Sequence, residues 1–283
     1  MKNTIKSILS FLFILIVAVS CTEKITINTG ETYVRFVVDG HIATDTSAYE
    51  ITLTKTADYF YNAPSPKVVS ATVQLSDGDS TYTLHETVPG ISGIYRTGQS
   101  FNGKIGKTYT LNVQLPAPIG GNSSYSSSCA LVHVAHLDST KAVFHSEFGK
   151  NGAWEILAYS RDPANEVNYY MFNLYRNGIL LTDSIHKVRV TDDKLINGSY
   201  FDGSVMFLSN SRDDEKLIPG DRITLVMSGI TKEYFDFVQQ VRQSGFNIPF
   251  FTGPPANIVG NINNGGIGFF AAYSNSYASA VVK

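Results

Sequence analysis

Three short stretches of the chain hold side chains whose types and spacing suggest chemistry. His133-Val-Ala-His136-Leu-Asp138, with His145 beyond it, is the nearest approach to a metal-ligand set. On a strand, residues three apart point to opposite faces, so His133 and His136 would share one ion only across an irregular turn. Solvated or loop histidines account better for them, and no metal is expected. Asp192-Asp193 and Asp213-Asp214-Glu215 offer oxygen ligands of the calcium type, but they lack the alternating carboxylates and fixed glycine of a calcium loop. They read as charged turns. The same carboxylates would act as a glycosidase pair only at a separation of about 5–9 Å in a cleft. Gly103-Lys-Ile-Gly106-Lys107-Thr108 imitates a phosphate loop, yet Phe101 stands where the pattern needs a glycine, and the strand-like Tyr109–Val113 follows in place of a helix. A turn entering a strand explains those residues. Neither a Gly-x-Ser-x-Gly elbow nor His-Glu-x-x-His occurs, and the expectation is a protein that is not an enzyme.

Aromatic residues are the other candidates. Tyr59-Phe60-Tyr61, directly before Asn62-Ala-Pro64-Ser-Pro66, forms a possible interaction surface for a sugar or a partner protein, because such rings carry large apolar area at little ordering cost. Phe250-Phe251, beside a Pro-Pro turn, reads as packing. Cys129, in Ser-Ser-Ser-Cys129-Ala-Leu-Val, suits the role of a small, partly buried hydrophobe better than that of a nucleophile.

Cys21, the other of the two cysteines, closes an N-terminal stretch that reads as an address. Lys2 and Lys6 give a positive start, and Ile8 to Val19 form an apolar run of signal-peptide size, too short to span a bilayer. It ends in Val17-Ala18-Val19-Ser20-Cys21, which resembles the lipobox of bacterial lipoproteins. The resemblance implies a signal peptide at 1–20, cleavage before Cys21, and a covalent diacylglycerol and acyl chain on that residue, with no other cofactor. The Thr-rich segment 21–32 would be the lipidated tether. With Cys21 lipidated, Cys129 has no disulfide partner.

Charged residues make up only 16%, against 16 Tyr, 17 Phe and 23 Gly, a balance that favours strands and turns over helices. Net charge is −2 and becomes −4 when Lys2 and Lys6 leave, so nothing attracts nucleic acid. The expected fold is mainly β, with two β-sandwich-like domains in tandem. Short runs at Tyr33–Val38, Tyr49–Thr56, Val69–Ser76, Thr81–His85, Gly93–Arg96 and Thr108–Leu115, with Asp77-Gly78-Asp79 as a hairpin turn, predict an N-terminal β-sandwich over 33–118. The Pro-, Gly- and Ser-rich stretch 119–128 reads as a linker, although Tyr125–Ser127 would also serve as a last strand. Residues 129–283 form the second, β-rich domain. It has strands at Trp154–Ser160, Asn168–Arg176, Ile179–Thr182, Val205–Leu208, Arg222–Ser228 and Gly268–Ser274, and a helix at about 232–244. In that helix Thr231 is the N-cap, Gly245 the stop, and Tyr234, Phe237, Val238 and Val241 share one face that packs on the sheet.

Several motifs then occur in a recognisable order. Asp162-Pro163…Asn168-Tyr169-Tyr170, Arg176-Asn177-Gly178, Asp192-Asp193…Asn197-Gly198, Pro219-Gly220-Asp221, Thr231-Lys-Glu233-Tyr234 and Asn261-Ile-Asn263-Asn264-Gly265 with Gly268-Phe269-Phe270 resemble a Bacteroidota lipoprotein family known as domain of unknown function 4249. Ala71–Ser76 and Gly103…Leu111 fit it too. Family members are typically encoded beside TonB-dependent receptors. The resemblance therefore implies a non-catalytic lipoprotein, held at the outer membrane by its lipid, that acts as a binding or accessory subunit of such a receptor barrel. A cell-surface adhesin or glycan-binding module is the alternative, and an envelope-assembly component or an enzyme follows behind. Whether the protein faces the periplasm or the cell surface stays open.

Overall fold

The computed structural model describes residues 34–57, 64–148, 151–209, 216–244 and 258–283. The protein is mainly β. Among the described residues, fifteen strands run in chain order from β1 (Phe36–Ala43) and β2 (Glu50–Lys55) through β3 (Thr72–Ser76), β4 (Thr81–Glu86), β5 (Ile94–Arg96), β6 (Thr108–Ile119) and β7 (Asn122–Ala130). They continue with β8 (Leu137–His145), β9 (Ala153–Arg161), β10 (Tyr169–Arg176), β11 (Ile179–Leu180), β12 (Arg189–Asp192), β13 (Tyr200–Ser209) and β14 (Arg222–Gly229). The helix α1 (Lys232–Ser244) precedes the last strand, β15 (Ile267–Val281).

One continuous hydrogen-bonded path carries the order β11-β10-β14-β15-β1-β2-β5-β4-β3-β6-β7, with β12 also on β10; β13-β9-β8 form a separate three-stranded sheet. The joint of the long path is β15. Its first half pairs in parallel with β1, from Val37 opposite Ile267 to Ala43 opposite Tyr273. Its second half pairs antiparallel with β14, from Gly229 opposite Ser274 to Arg222 opposite Val281. Two apolar cores lie on this frame. The first gathers Phe36, Ile51, Leu53, Leu75, Tyr95 and Leu111 with Phe270 and Ala272 of β15. The sheet curls around it until the end of β7 meets β15, where the Ala272 N–H donates to Cys129 Sγ at 3.2 Å. In the second core, Trp154, Ile156 and Phe201 of the small sheet pack on Phe172, Leu174, Leu225 and Met227.

The boundary expected between domains needs correction. Residues 119–128 are not a linker: they end β6, turn at Gly120-Gly121 and form most of β7, which pairs with β6 from Thr108 opposite Ala130 to Gln114 opposite Ser124. The reason lies in period-2 alternation among small residues. Tyr125, Ser127 and Cys129 point inward while the intervening serines face out. The N-terminal strands also continue, through β1 and β15, into the C-terminal ones. The helix falls where expected, with Thr231 Oγ1 accepting from the Tyr234 N–H at 3.4 Å and Val238 fully buried.

Candidate ligand-binding cleft on the central sheet

Alternation along four neighbouring strands sends one set of side chains into the apolar cores, the second core from β10 and β14 and the first from β1, and the other set onto the opposite face. On β10, Phe172 and Leu174 are buried while Asn173 and Tyr175 lie on the far side; on β14, Leu225 and Met227 are matched in the same way by Val226 and Ser228. Cross-strand register then aligns Asn173 with Val226 and Tyr277, and Ser228 with Asn275. On β1, His41 sits beside Ala271, and its ring stacks on Tyr273 at 4.9 Å. The helix covers one end of this face, where Tyr234 and Phe237 pack on Phe269 at about 5 Å between ring centroids. The other end is a concave cleft of about 370 Å³, inside the size range of small-ligand sites.

The loop after β1 brings in Asp45 and Tyr49. Asp45 Oδ2 accepts hydrogen bonds from Tyr277 Oη and from Asn275 Nδ2, both at 2.6 Å. Tyr49 Oη donates to the Asp45 carbonyl at 2.6 Å, and Ser228 Oγ donates to Asn275 Oδ1 at 2.6 Å. Burial, then the Asp45 charge, pushes the Tyr49 hydroxyl up to about 12. Burial and the same carboxylate raise Tyr277 and Tyr175. His41 is exposed on the cleft side, while the protein packed around it lowers its pKa to about 4 by desolvation. The cleft therefore presents neutral tyrosine rings, amides, a neutral imidazole and one carboxylate.

The sequence of a family described as a domain of unknown function, DUF4249, matches residues 22–278 of the chain. The chain belongs to this family. No curated protein matches it. Several of the ordered motifs of this DUF4249 member are structural joints. Asp162, 1% exposed, accepts from Tyr170 Oη at 2.6 Å and from the Gly198 N–H at 3.0 Å. Asp193, equally buried, accepts from the Asn168 N–H at 2.7 Å. Asn177 and Asp221 tie the β10–β11 turn to the entry of β14, with Asn177 Nδ2 donating to Asp221 Oδ1 at 2.7 Å. Asn261, Asn263 and Asn264 bond along the outer edge of β7, to Ser128, Ser126 and Ser124.

The expected site residues Cys21, Tyr59, Phe60 and Tyr61 lie outside the described residues, as do Asp213, Asp214, Glu215, Phe250 and Phe251. His133 and His136 sit on an irregular stretch between β7 and β8, not on a strand as the spacing argument assumed, and His136 pairs with Asp138 at 3.0 Å. His145 bridges Glu147 and Glu155 at 3.0 and 2.9 Å. No group of three or more metal-type ligands gathers among the described residues. Asp192 pairs with Lys194, and Asp193 is the buried joint just described, so neither is the exposed turn the sequence suggested. Gly106 turns the chain at φ +84° into β6, as the strand-entry reading of that stretch requires. Cys129 is buried, and desolvation pushes its thiol up to about 11.

The sequence reading missed the cleft itself. Its one linear signal was Tyr273-Ser-Asn275-Ser-Tyr277, an aromatic and amide alternation inside an otherwise apolar last strand. Asn173, Tyr175, His41 and Asp45 join it only through pairing between strands far apart in sequence.

Proposed function

We propose that this protein is a non-catalytic, lipid-anchored outer-membrane lipoprotein that serves as a binding or accessory subunit of a TonB-dependent receptor or uptake complex. The observation that carries this reading is the place where the family match begins. It starts at residue 22, directly after Cys21, so the family body starts where cleavage and lipidation of the lipobox-like stretch would leave it. Acyl chains contribute about 0.8 kcal/mol per buried CH2 to anchoring, and an anchored subunit meets a membrane partner at high effective concentration. The cleft supports a binding role, since rings and amides orient and hold a ligand.

The test is co-purification from membranes solubilised in mild detergent. A tagged chain is expected to enrich an outer-membrane receptor barrel, and Cys21→Ala is expected to release the protein to the soluble fraction and to abolish that enrichment. Recovery of the wild-type protein alone overturns the proposal.

A further inference from the structure

The cleft holds a charge with no counter-charge. Tyr277 Oη and Asn275 Nδ2 both donate to Asp45 Oδ2, and among the described residues no group donates to Oδ1. Among the described residues no Lys, Arg or His side chain pairs with Asp45. A partly enclosed carboxylate beside aromatic rings is unfavourable unless something matches its charge. No described side chain of the cleft does so: desolvation lowers the pKa of His41 and so favours its neutral form, and burial keeps the tyrosines protonated. The walls are electron-rich. Tyr277 is 49% exposed, and Tyr175, two strands away on the same face, is half-buried.

We propose that this cleft binds a small organic cation, a quaternary ammonium or guanidinium group, with Asp45 as its counter-ion and the rings of Tyr175 and Tyr277 as its walls. Aromatic faces attract such cations through the ring quadrupole, more strongly when the cation is desolvated. A carboxylate with a free oxygen supplies the charge-assisted hydrogen bond or ion pair that completes the site. A neutral sugar would use the same rings and amides but would leave the Asp45 charge unmatched, and an anion would be repelled by it. The proposal deepens the binding-subunit reading and rests on it for its biological sense.

Isothermal titration of the full-length, detergent-solubilised protein tests the assignment, with choline and agmatine as probes and maltotriose as the neutral comparator. Heat is expected with one or both cations and not with the sugar. Asp45→Asn preserves shape and most hydrogen bonds, and is expected to weaken cation binding by at least about tenfold. Tyr175→Ala, at a side chain that makes no hydrogen bond among the described residues, is expected to weaken it several-fold and decides the matter if Asp45→Asn does not fold. Binding of maltotriose as tight as that of either cation overturns the proposal. So does cation affinity unchanged in both variants, or no heat from either cation at millimolar concentration. A flat titration beside an intact receptor pull-down removes the cation site and leaves the accessory role standing; a positive titration with a failed pull-down does the reverse.

Discussion

Tyr170 and Asp162 show how this chain uses polar residues inside its core. Both are essentially inaccessible, and the 2.6 Å bond between them supplies the hydroxyl with its acceptor and the carboxylate with one of its two donors. Removing one partner of such a pair leaves the other desolvated and unmet. Tyr170→Phe is therefore expected to destabilise the protein by about 1–3 kcal/mol, read as a lower midpoint in urea, while the ring contacts with Phe172 and Phe201 persist. Cys129 gives a second residue-scale expectation. Burial pushes its thiol up to about 11 in the folded protein, against the ordinary thiol range once unfolded. Between those values the folded state holds the proton that the unfolded chain releases, so stability falls as pH rises through that window. Unfolding midpoints measured from pH 8 to pH 11 should drop less steeply for Cys129→Ala than for the wild type, and native Cys129 should resist thiol reagents at pH 8. The sequence made Cys129 legible as a buried hydrophobe because its neighbours are small and uncharged. It did not make Asp162 or Asp193 legible as buried groups, because their satisfaction depends on Tyr170, Gly198 and Asn168, which reach them only in the fold.

At the scale of elements, the parallel pair of β1 and β15 depends on a close approach that only glycine allows. Gly268 has φ +92°, and a Cβ there would overlap the Val38 carbonyl. Gly178, at φ +83° in the β10–β11 turn, has open space around it. Gly268→Ala is expected to cost about 3 kcal/mol or more, through strain and lost pairing. Gly178→Ala should cost only about 1–2 kcal/mol, from its backbone conformation alone. Equal losses in a thermal melt would show that the steric contact contributes nothing. The outer edge of β7 raises a different problem, since an unpaired strand edge invites association. Here Asn263 covers it, with Oδ1 accepting from the Ser126 N–H at 2.6 Å and Nδ2 donating to Ser126 Oγ at 2.8 Å. Asn263→Ala should bring forward the onset of light scattering on heating, ahead of any comparable fall in the melting midpoint. The repeated asparagines were visible in sequence as turn formers, but their partners are serines about 137 residues away. The serine strand itself reads as a linker for the same reason: with Tyr125 and Cys129 as its only large inward residues, its alternation is weak until Asn261–Asn264 is placed against it. β8 and β12 escaped for a related cause, being polar over most of their length.

Across the whole molecule, β15 decides how many folding units the chain contains. Phe270 and Ala272 of its first half belong to the first core, and Ala278 of its second half belongs to the second. β1, near the N-terminal end of the fold, finds its parallel partner more than two hundred residues away. Hydrophobic runs and turn signals made the β character and the strands β1 to β6 readable, since each needs only local alternation. The same local signals made a tandem of two β-layered halves, each with its own apolar core, readable, whereas the pairing that joins the halves carries no local signature. The cleft follows the same logic, because it lies on the four strands, β10, β14, β15 and β1, that this long-range pairing brings side by side. A fragment of residues 34–131 lacks the strand that pairs with β1 and closes the first core. A fragment of residues 132–283 keeps β15 but exposes its β1-facing edge and the apolar face of Phe270. Neither fragment should give a cooperative unfolding transition alone, whereas the intact chain should unfold in a single transition by circular dichroism and by tyrosine fluorescence, with coincident midpoints. Two fragments that each melt cooperatively would mean that the two cores are independent and that β15 merely touches both. Failure of both fragments would instead make the cleft a property of the assembled sheet, so that any change loosening the β1–β15 pair would also weaken ligand binding.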